Sequence, residues 1–311
     1  MKTIVPDYYP HFSCIAGGCR HSCCIGWEID IDPDTLRRYQ QQDGAIGERL
    51  RQNIDITPEG ACFHLQGAEE RCPFLNQDGL CDLILTLGED SLCQICTDHP
   101  RFRNFFSDRT EIGLGLCCEE ACRLILSWND PVRLIELADD GEGCDADPDE
   151  LQLLSLRQRL TALMQDRSRS VEARVAALLA SVGAHVSDFV WLDWLPFFLS
   201  LERLYEHWAD ELQRLENASC SMPVIPSNLQ IPLEQLMVYL LFRHLPSALD
   251  DGMERERILL CVLMWLTAAH LTLHAGSTMQ VLAECCRLLS SEWEYSEDNI
   301  AAILNKLAQS E

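Results

Sequence analysis

The stretch that decides the fold is Ile258–Ala269, with the sequence ILLCVLMWLTAA. It is apolar on every side of a helical wheel, and a helix of that kind lies buried among other helices. Its longest uninterrupted apolar run, Ile258–Leu266, has nine residues, whereas roughly 18 to 20 are needed to span a bilayer. The stretch therefore predicts the central helix of a soluble bundle.

Helical spacing of apolar residues extends over most of the chain around this stretch. The predicted helices cover 149–165, 170–182, 232–245, 254–274, 277–290 and 296–308, with helical spacing also over 189–208. Within them, Trp191, Trp194 and Trp265 are interpreted as core packing. The C-terminal half is therefore predicted to be an α-helical domain.

The N-terminal part is of a different kind, because it is rich in cysteines, turns and aromatic residues. Only 33–42 is predicted to be helical there, with Asp32 as N-cap. No strand-rich region is evident. We expect a mainly α fold in which an irregular metal-binding region, 1–135, packs on a helical domain, 151–311. The segment 136–150, ELADDGEGCDADPDE, holds eight acids and no lysine or arginine, and is predicted to be a linker.

Charge and length restrict the function. The 311 residues carry 24 basic and 49 acidic side chains, a net charge of -25, which repels nucleic acid and anionic membranes and suits a basic or lysine-bearing partner. No secretory signal is visible, since Pro6 and Asp7 stand where an apolar segment is required. These features predict a cytoplasmic protein that binds neither nucleic acid nor membrane.

Cysteine is the unusual residue. Twelve of the 17 cysteines lie in residues 1–122, and buried thiols that serve only as small apolar groups would be scattered more evenly. A cytosol keeps thiols reduced, so clustering favours metal ligation or redox chemistry over disulfides. Free thiols without a function and redox sensing are the alternatives.

The cysteines form four clusters of short spacing, as metal sites do. These are Cys14-x4-Cys19-x3-Cys23-Cys24, Cys72-x8-Cys81, Cys93-x2-Cys96 and Cys117-Cys118-x3-Cys122. Gly17 and Gly18 let the backbone turn tightly, and the turn signal in 76–79, NQDG, would bring Cys72 and Cys81 together. Cys23 and Cys24 are adjacent, so we expect at most one of them to bind a given ion.

These spacings do not determine which metal would bind. Zinc prefers closed tetrahedral sites of Cys or Cys/His, and an iron–sulfur cluster also needs about four thiolates. His21, His64 and His99 could supplement either. The radical-enzyme spacing CxxxCxxC is absent, because Gly26 stands where the third cysteine would be.

The motifs resemble the flagellin lysine N-methylase family, whose N-terminal part belongs to a wider class of cysteine-rich zinc- or iron-chelating domains. The resemblance rests on FSC-x4-C-x3-CC-x-GW at 12–27, CPFL…DGLC at 72–81, TLGEDSLCQIC-x3-PR at 86–101 and LCCEE near Cys118. It continues in general character through the helical half to AAH…EYSEDN at 268–299.

The resemblance implies transfer of methyl groups from S-adenosylmethionine to lysines of flagellin, with an iron–sulfur cluster, expected to be 4Fe–4S, or zinc as the alternative. It makes eight cysteines the candidate metal ligands: Cys14, Cys19, Cys23, Cys24, Cys72, Cys81, Cys96 and Cys118. It leaves Cys62, Cys93, Cys117 and Cys122 outside the pattern. The competing functions are a zinc- or iron-chelating binding module without methyltransferase activity and an iron–sulfur oxidoreductase.

Lysine methylation sets a further requirement, because the amine attacks only when deprotonated and its ordinary pKa is about 10.4. The enzyme must desolvate the amine or offer a general base, for which Asp98, His99 and Tyr39 are candidates. No glycine-rich nucleotide loop follows a strand, and Gly113-Leu-Gly115 is too short to be one. If a cluster binds the methyl donor, one iron must stay open to the donor's amino and carboxylate groups.

Overall fold

The computed structural model describes residues 1–58 and 60–309. The strands are β1 Lys2–Pro6, β2 Asp30–Ile31, β3 Ile54–Ile56, β4 Ala61–Phe63, β5 Arg101–Phe105, β6 Arg109–Leu114 and β7 Leu134–Asp139. The first helices are α1 Pro33–Gln40, α2 Gly44–Gln52, α3 Asp82–Leu87, α4 Gln94–Asp98, α5 Glu119–Leu126, α6 Pro148–Met164 and α7 Val171–Ser181. The remaining helices are α8 Trp191–Ser200, α9 Trp208–Gln213, α10 Gln230–His244, α11 Ala248–Asp251, α12 Glu254–Ala275, α13 Met279–Leu289 and α14 Glu297–Ala308. The predicted mainly α class is confirmed.

The chain forms two compact units at positions that differ from the predicted division. Residues 13–101 form one unit, and residues 1–12 join the chain from 102 onward in the other. We call them the cysteine unit and the helical unit. Residues 1–12 and 102–135, which the sequence placed in the metal-binding region, thus lie in the helical unit. Residues 310 and 311 of the predicted helical domain lie outside the described residues.

The helical unit is organised around α12, the helix that contains the stretch Ile258–Ala269. Every residue from Ile258 to Thr272 is buried, so the predicted central helix is confirmed. The indole Nε1 of Trp265 donates to the carbonyl of Leu233 at 2.8 Å, which ties α10 to α12. By length and hydropathy α12 would suffice to cross a bilayer, but most of it is buried inside the unit, as in the core helix of a soluble protein.

Side chains cap the starts of two helices, and the cap at Asp32 is the predicted one. Asp32 accepts from the amide of Thr35 at 2.9 Å at the start of α1, and Asp147 forms a capping box with Glu150 at the start of α6. The indoles of Trp191, Trp194 and Trp265 are buried as predicted.

Two small sheets were not expected from the sequence. One has the order β5-β6-β1-β7, with β1 parallel to β6 and antiparallel to β7, and the other has the order β2-β4-β3. Their strands are two to six residues long, too short for an alternating pattern to stand out. The acidic segment 136–150 therefore begins as the strand β7 rather than as a linker.

Buried ion pairs hold the helical unit together. Glu111 is fully buried and accepts from both terminal nitrogens of Arg157 at 2.6 Å. Glu234, also fully buried, pairs with Arg174 at 2.6 Å. Because an isolated charge is very unfavourable in an apolar interior, each of these carboxylates depends on its guanidinium.

Candidate metal centre

Five thiols of the cysteine unit lie in or against one apolar core. Cys72 and Cys93 are buried in that core, and Cys24, Cys81 and Cys96 are half-buried against it. The surrounding side chains include Ile29, Ile31, Tyr39, Leu50, Phe63, Phe74 and Leu83. Three of the four sequence clusters therefore contribute to one place. We call these five residues the thiol group.

Tight backbone turns bring the first two sequence clusters together. The amide of Cys72 donates to the carbonyl of Cys24 at 2.8 Å. The turn at 76–79 closes with a bond from the amide of Asn76 to the carbonyl of Leu80 at 2.9 Å. A Cβ on Gly17 would lie 2.6 Å from the carbonyl oxygen of Asp78, so this approach requires glycine. The loop is the one predicted to place Cys72 near Cys81.

Cys93 and Cys96 form the closest pair. Their Sγ atoms lie 3.3 Å apart and share a hydrogen bond. That bond lowers the pKa of Cys93, whereas the pKa of Cys96 is raised by the bond and by burial. Of the two thiols, Cys93 is therefore the one whose thiolate the hydrogen bond favours.

The pKa of Cys24 is also lowered. Its hydrogen bond with Cys23 lowers its pKa to about 7 despite burial, with further help from Ser22 and Arg71. The charge of Cys24 in turn raises the pKa values of Cys72, Cys81 and Cys96, although burial is the larger cause for Cys72 and Cys81. The sulfurs are thus close enough to influence one another's ionisation, and thiolates are what soft metals bind.

The hydroxyl of Tyr39 is the unusual polar group of this core. The side chain is 1% exposed, and its hydroxyl has no hydrogen-bond partner within the described residues. Burial raises the pKa of Tyr39, and the neighbouring thiols Cys93, Cys96 and Cys81 raise it further. A buried hydroxyl normally finds a partner, so this orphaned donor beside the sulfurs indicates a group that the protein atoms do not supply.

The thiol group fits a zinc ion or an iron–sulfur cluster in its chemistry. It offers more than the four thiolates that either needs, in an apolar core beside an unmet donor. In residues 1–58 and 60–309, however, no three Cys, His, Asp or Glu side chains already converge tightly enough to hold one ion. Ligation would therefore draw the sulfurs inward.

The predicted ligands fall into three places. Cys24, Cys72, Cys81 and Cys96 belong to the thiol group, while Cys14, Cys19 and Cys23 lie in the loop 14–23 at or near the surface. Cys118 lies in the helical unit, at the start of α5. Cys93, which the family pattern left out, lies in the thiol group, and the Cys-x2-Cys spacing was the signal that could have included it.

Buried thiols of the helical unit serve as packing groups. Burial raises the pKa of Cys117 to about 12, and the buried Cys122 donates to the carbonyl of Ala283 at 3.3 Å. Cys261 and Cys286 are also buried, and burial raises both of their pKa values. These thiols stay protonated at neutral pH and serve the helical core.

The three candidate general bases, Tyr39, His99 and Asp98, are poorly suited to removing a proton from a lysine amine. The raised pKa of Tyr39 keeps its proton in place. Burial lowers the pKa of His99 to about 4, so that imidazole is neutral at pH 7 but holds a proton weakly. Asp98 accepts a hydrogen bond from the side-chain amide nitrogen of Gln94 at 2.7 Å on the exposed side of α4.

His64, a candidate supplementary metal ligand, pairs with Asp55 at the surface, at 2.9 Å.

The fold and the thiol group together define a mainly α-helical protein with a cysteine-rich unit. The chain is 28% identical over 282 residues to the Lysine-N-methylase of Salmonella choleraesuis (strain SC-B67), across 86% of this chain and 68% of that relative. The Lysine-N-methylase of Salmonella typhimurium (strain LT2) is 27% identical over the same shares. The Flagellar biosynthetic protein FliU of Salmonella muenchen is 32% identical over 139 residues, 42% of this chain and 81% of that protein.

The chain belongs to the lysine-N-methylase family, which confirms the family indicated by the cysteine motifs. No family model and no solved structure matches it.

Proposed function

We propose that this protein transfers methyl groups from S-adenosylmethionine to lysine side chains of flagellin in the cytoplasm. The observation that carries the proposal is the similarity to two lysine-N-methylases across 86% of the chain. Because that similarity covers most of the chain, the proposal applies to the whole chain.

Two further observations support flagellin as the substrate. One relative is named as a flagellar biosynthetic protein, which connects the family with the flagellum. The net charge of -25 favours approach of a surface that displays protonated lysines.

We propose that the thiol group holds an iron–sulfur cluster of the 4Fe–4S type, with zinc as the alternative. Cys24, Cys72, Cys81, Cys93 and Cys96 are the residues that would hold it. When bound, such a cluster supplies a redox-active iron centre enclosed by thiolates. The chain's own contribution is the apolar enclosure, the lowered pKa values of Cys24 and Cys93, and the hydroxyl of Tyr39, a donor that has no partner among the described residues.

Deprotonation of the substrate lysine is the chemical requirement that remains. Tyr39 and His99 do not meet it, since one keeps its proton and the other holds a proton too weakly at neutral pH. We therefore propose that desolvation in an apolar site lowers the pKa of the target lysine, because burial disfavours its charged form.

Co-expression with flagellin tests the activity. Intact-mass spectra of flagellin should gain increments of about 14 Da per methyl group with the wild-type protein and none in its absence. If the wild-type protein, purified with its metal, leaves lysine-bearing flagellin unchanged in mass, the methylase proposal fails.

A metal-binding module without methyltransferase activity is the second candidate, and the thiol group favours it. Metal analysis with an optical spectrum of anaerobically purified protein separates zinc from iron–sulfur. Stoichiometric metal together with unmodified flagellin would support this candidate against the first.

A further inference from the structure

The helical unit has an open sheet edge, the outer side of β7. This strand is the last in the order β5-β6-β1-β7, and among the described residues it pairs only with β1. All six of its residues are exposed, and its large apolar side chains Leu134, Ile135 and Leu137 are 44%, 37% and 51% exposed. Soluble proteins usually protect such an edge with proline, lysine or a covering segment, but β7 contains neither proline nor lysine. The strand therefore presents an apolar edge that a partner can cover.

The backbone of β7 offers a hydrogen-bond donor on this open side. The amide of Asp7 donates to the carbonyl of Arg133 at 2.8 Å, so that carbonyl points toward the side of β1. A trans peptide directs its C=O and its N–H to opposite sides, and the N–H of Leu134 therefore points away from β1. No residue of the described chain accepts a hydrogen bond from it. The register with β1 shifts at Leu137, so 134–136 is the regular part of the edge.

A groove adjoins the same strand. A cavity of about 600 Å³ is lined by residues of the sheet and of α6, and Leu134 belongs to its wall. On the side of α6, Leu151, Ser155, Gln158 and Ala162 are exposed wall residues. We call these five residues the docking groove. They are open to solvent and uncharged, so the docking groove suits an apolar side chain.

The charge next to the edge is strongly negative. The segment 136–150 holds eight acids and no lysine or arginine. Lys2 lies 3.8 Å from Glu136, and the amino terminus pairs with Asp139 at 3.6 Å, which neutralises only part of this charge. Glu142 and Asp145 are exposed, and no described residue forms an ion pair with them. A partner with ammonium groups beside its docked backbone would therefore be favoured.

From these features we infer that β7 and the docking groove bind an extended segment of the substrate protein that carries lysines. The segment adds a strand to β7, places an apolar side chain in the docking groove and sets its lysines against 136–150. The inference rests on the proposed function, because it states how the lysine-bearing substrate is held. A second copy of this chain would bring the same acids against one another, so charge opposes the pairing of two copies at this edge.

Hydrogen exchange locates the contact. The full-length, metal-loaded protein is mixed with purified monomeric flagellin, and amide exchange is followed by mass spectrometry. Peptides that contain 134–136 should exchange more slowly when flagellin is present, because the added strand accepts from the N–H of Leu134. Slower exchange in other parts of the chain with none at 134–136 would overturn the inference.

Two variants of one residue test the backbone pairing. Leu134→Pro removes the outward N–H and leaves the bonds to β1 in place, whereas Leu134→Val keeps the N–H and suits a strand. Leu134→Pro should raise the Kd for flagellin at least about tenfold and Leu134→Val less than about threefold. Equal Tm values verify that both variants fold. Equal Kd values for the two variants would contradict the added strand.

Charge reversal provides a test that leaves the strand intact. The double variant Glu142→Lys with Asp145→Lys should raise the Kd for flagellin about fivefold at low salt, and the effect should shrink in about 1 M salt. The control is Glu206→Lys with Glu216→Lys, which makes the same change in net charge at exposed positions outside this edge. An equal effect of the two double variants would mean that only net charge matters, and would overturn the docking site.

The docking inference and the proposed function fail in different ways. If flagellin gains methyl groups but Leu134→Pro leaves its Kd unchanged, or if the wild-type protein does not bind flagellin, the docking inference is overturned. If 134–136 is protected and Leu134→Pro weakens binding while flagellin stays unmodified, the docking inference is supported and the proposed methyl transfer fails. If Leu134→Pro turns a wild-type dimer into a monomer in sedimentation and leaves the Kd unchanged, the edge joins two copies and the inference is wrong.

Discussion

The two units use the same residue type in opposite ways. In the cysteine unit, five thiols share one core, two of them lie 3.3 Å apart, and the pKa of Cys24 is lowered to about 7. In the helical unit, thiols such as Cys117 and Cys261 have pKa values raised by burial. The number of cysteines alone therefore says little about metal binding. The distances between the thiols and the hydrogen bonds that they form decide whether a buried thiol can become a ligand.

The units also differ in what their cores contain besides thiols. The helical unit buries carboxylate–guanidinium pairs such as Glu294 with Arg243 at 3.3 Å, and His244 contacts the same carboxylate at 2.7 Å. The cysteine unit instead buries the hydroxyl of Tyr39, which has no hydrogen-bond partner in the described part of the chain. We therefore expect the helical unit to fold by its own contacts and the cysteine unit to be less stable when no metal is bound.

The largest effect is expected from Cys72→Ala. Cys72 is buried within the thiol group, and removing a ligand from a metal site that is coupled to folding destabilises the unit around it. Metal per protein should fall by about half or more, and proteolysis should cut preferentially within 13–101.

The matched control is Cys261→Ala, which removes an equally buried thiol from α12. Its metal content should equal that of the wild type, with a stability loss of about 1 kcal/mol from the small cavity. Equal metal content in both variants would contradict the assignment of the ligands to the cysteine unit.

A large loss of stability without loss of metal is expected from Glu294→Gln. The substitution leaves the buried Arg243 charge without its partner, which typically destabilises by about 3 to 5 kcal/mol. Urea unfolding should show that loss while metal analysis stays unchanged. Asp34→Asn is the control, since the Asp34–Arg37 pair is exposed and should contribute less than about 1 kcal/mol. A metal loss in Glu294→Gln would show that the two units depend on each other.

The Glu294 pair also predicts an acid dependence. Burial alone would raise the pKa of Glu294, but Arg243 and His244 hold it to about 2, below the ordinary value of about 4.3. The pair therefore stabilises the folded state above about pH 4.5, and this contribution is lost as the pH falls toward 2. The stability difference between wild type and Glu294→Gln should shrink by roughly 2 kcal/mol from pH 5 to pH 2. A constant difference across that range would contradict the assignment.

Features with local causes could be read from the sequence. The cap at Asp32, the buried helix Ile258–Ala269 and the turn at 76–79 each depend on residues within a few positions, and the structure has them. Strand pairing depends on distant partners, so the parallel contact of β1 with β6, more than a hundred residues away, left no local signal.

Only part of the thiol group could be predicted, because its members come together from distant positions in the chain. The short spacings identified the clusters, but only the fold shows that Cys93 joins Cys24 and Cys72 while Cys118 lies in the other unit.

The smallest expected effect separates two tyrosines, Tyr39 in the cysteine unit and Tyr295 in the helical unit. Tyr39 has an unmet hydroxyl within the described chain, whereas the hydroxyl of Tyr295 shares a hydrogen bond with Cys117. In metal-depleted protein, Tyr39→Phe should be neutral or stabilising by up to about 1 kcal/mol, because it removes an unsatisfied group, and Tyr295→Phe should lose about 1 kcal/mol.

Loading the metal should change the effect of Tyr39→Phe on stability but not the effect of Tyr295→Phe. If the Tyr39 hydroxyl donates to a sulfur of the bound group, Tyr39→Phe should lose about 1 kcal/mol in loaded protein and shift the optical spectrum. Tyr295→Phe, in the other unit, should behave alike with and without metal. If Tyr39→Phe changes stability in the same direction in metal-depleted and in metal-loaded protein, its hydroxyl is an unsatisfied group of the core and not part of the metal centre.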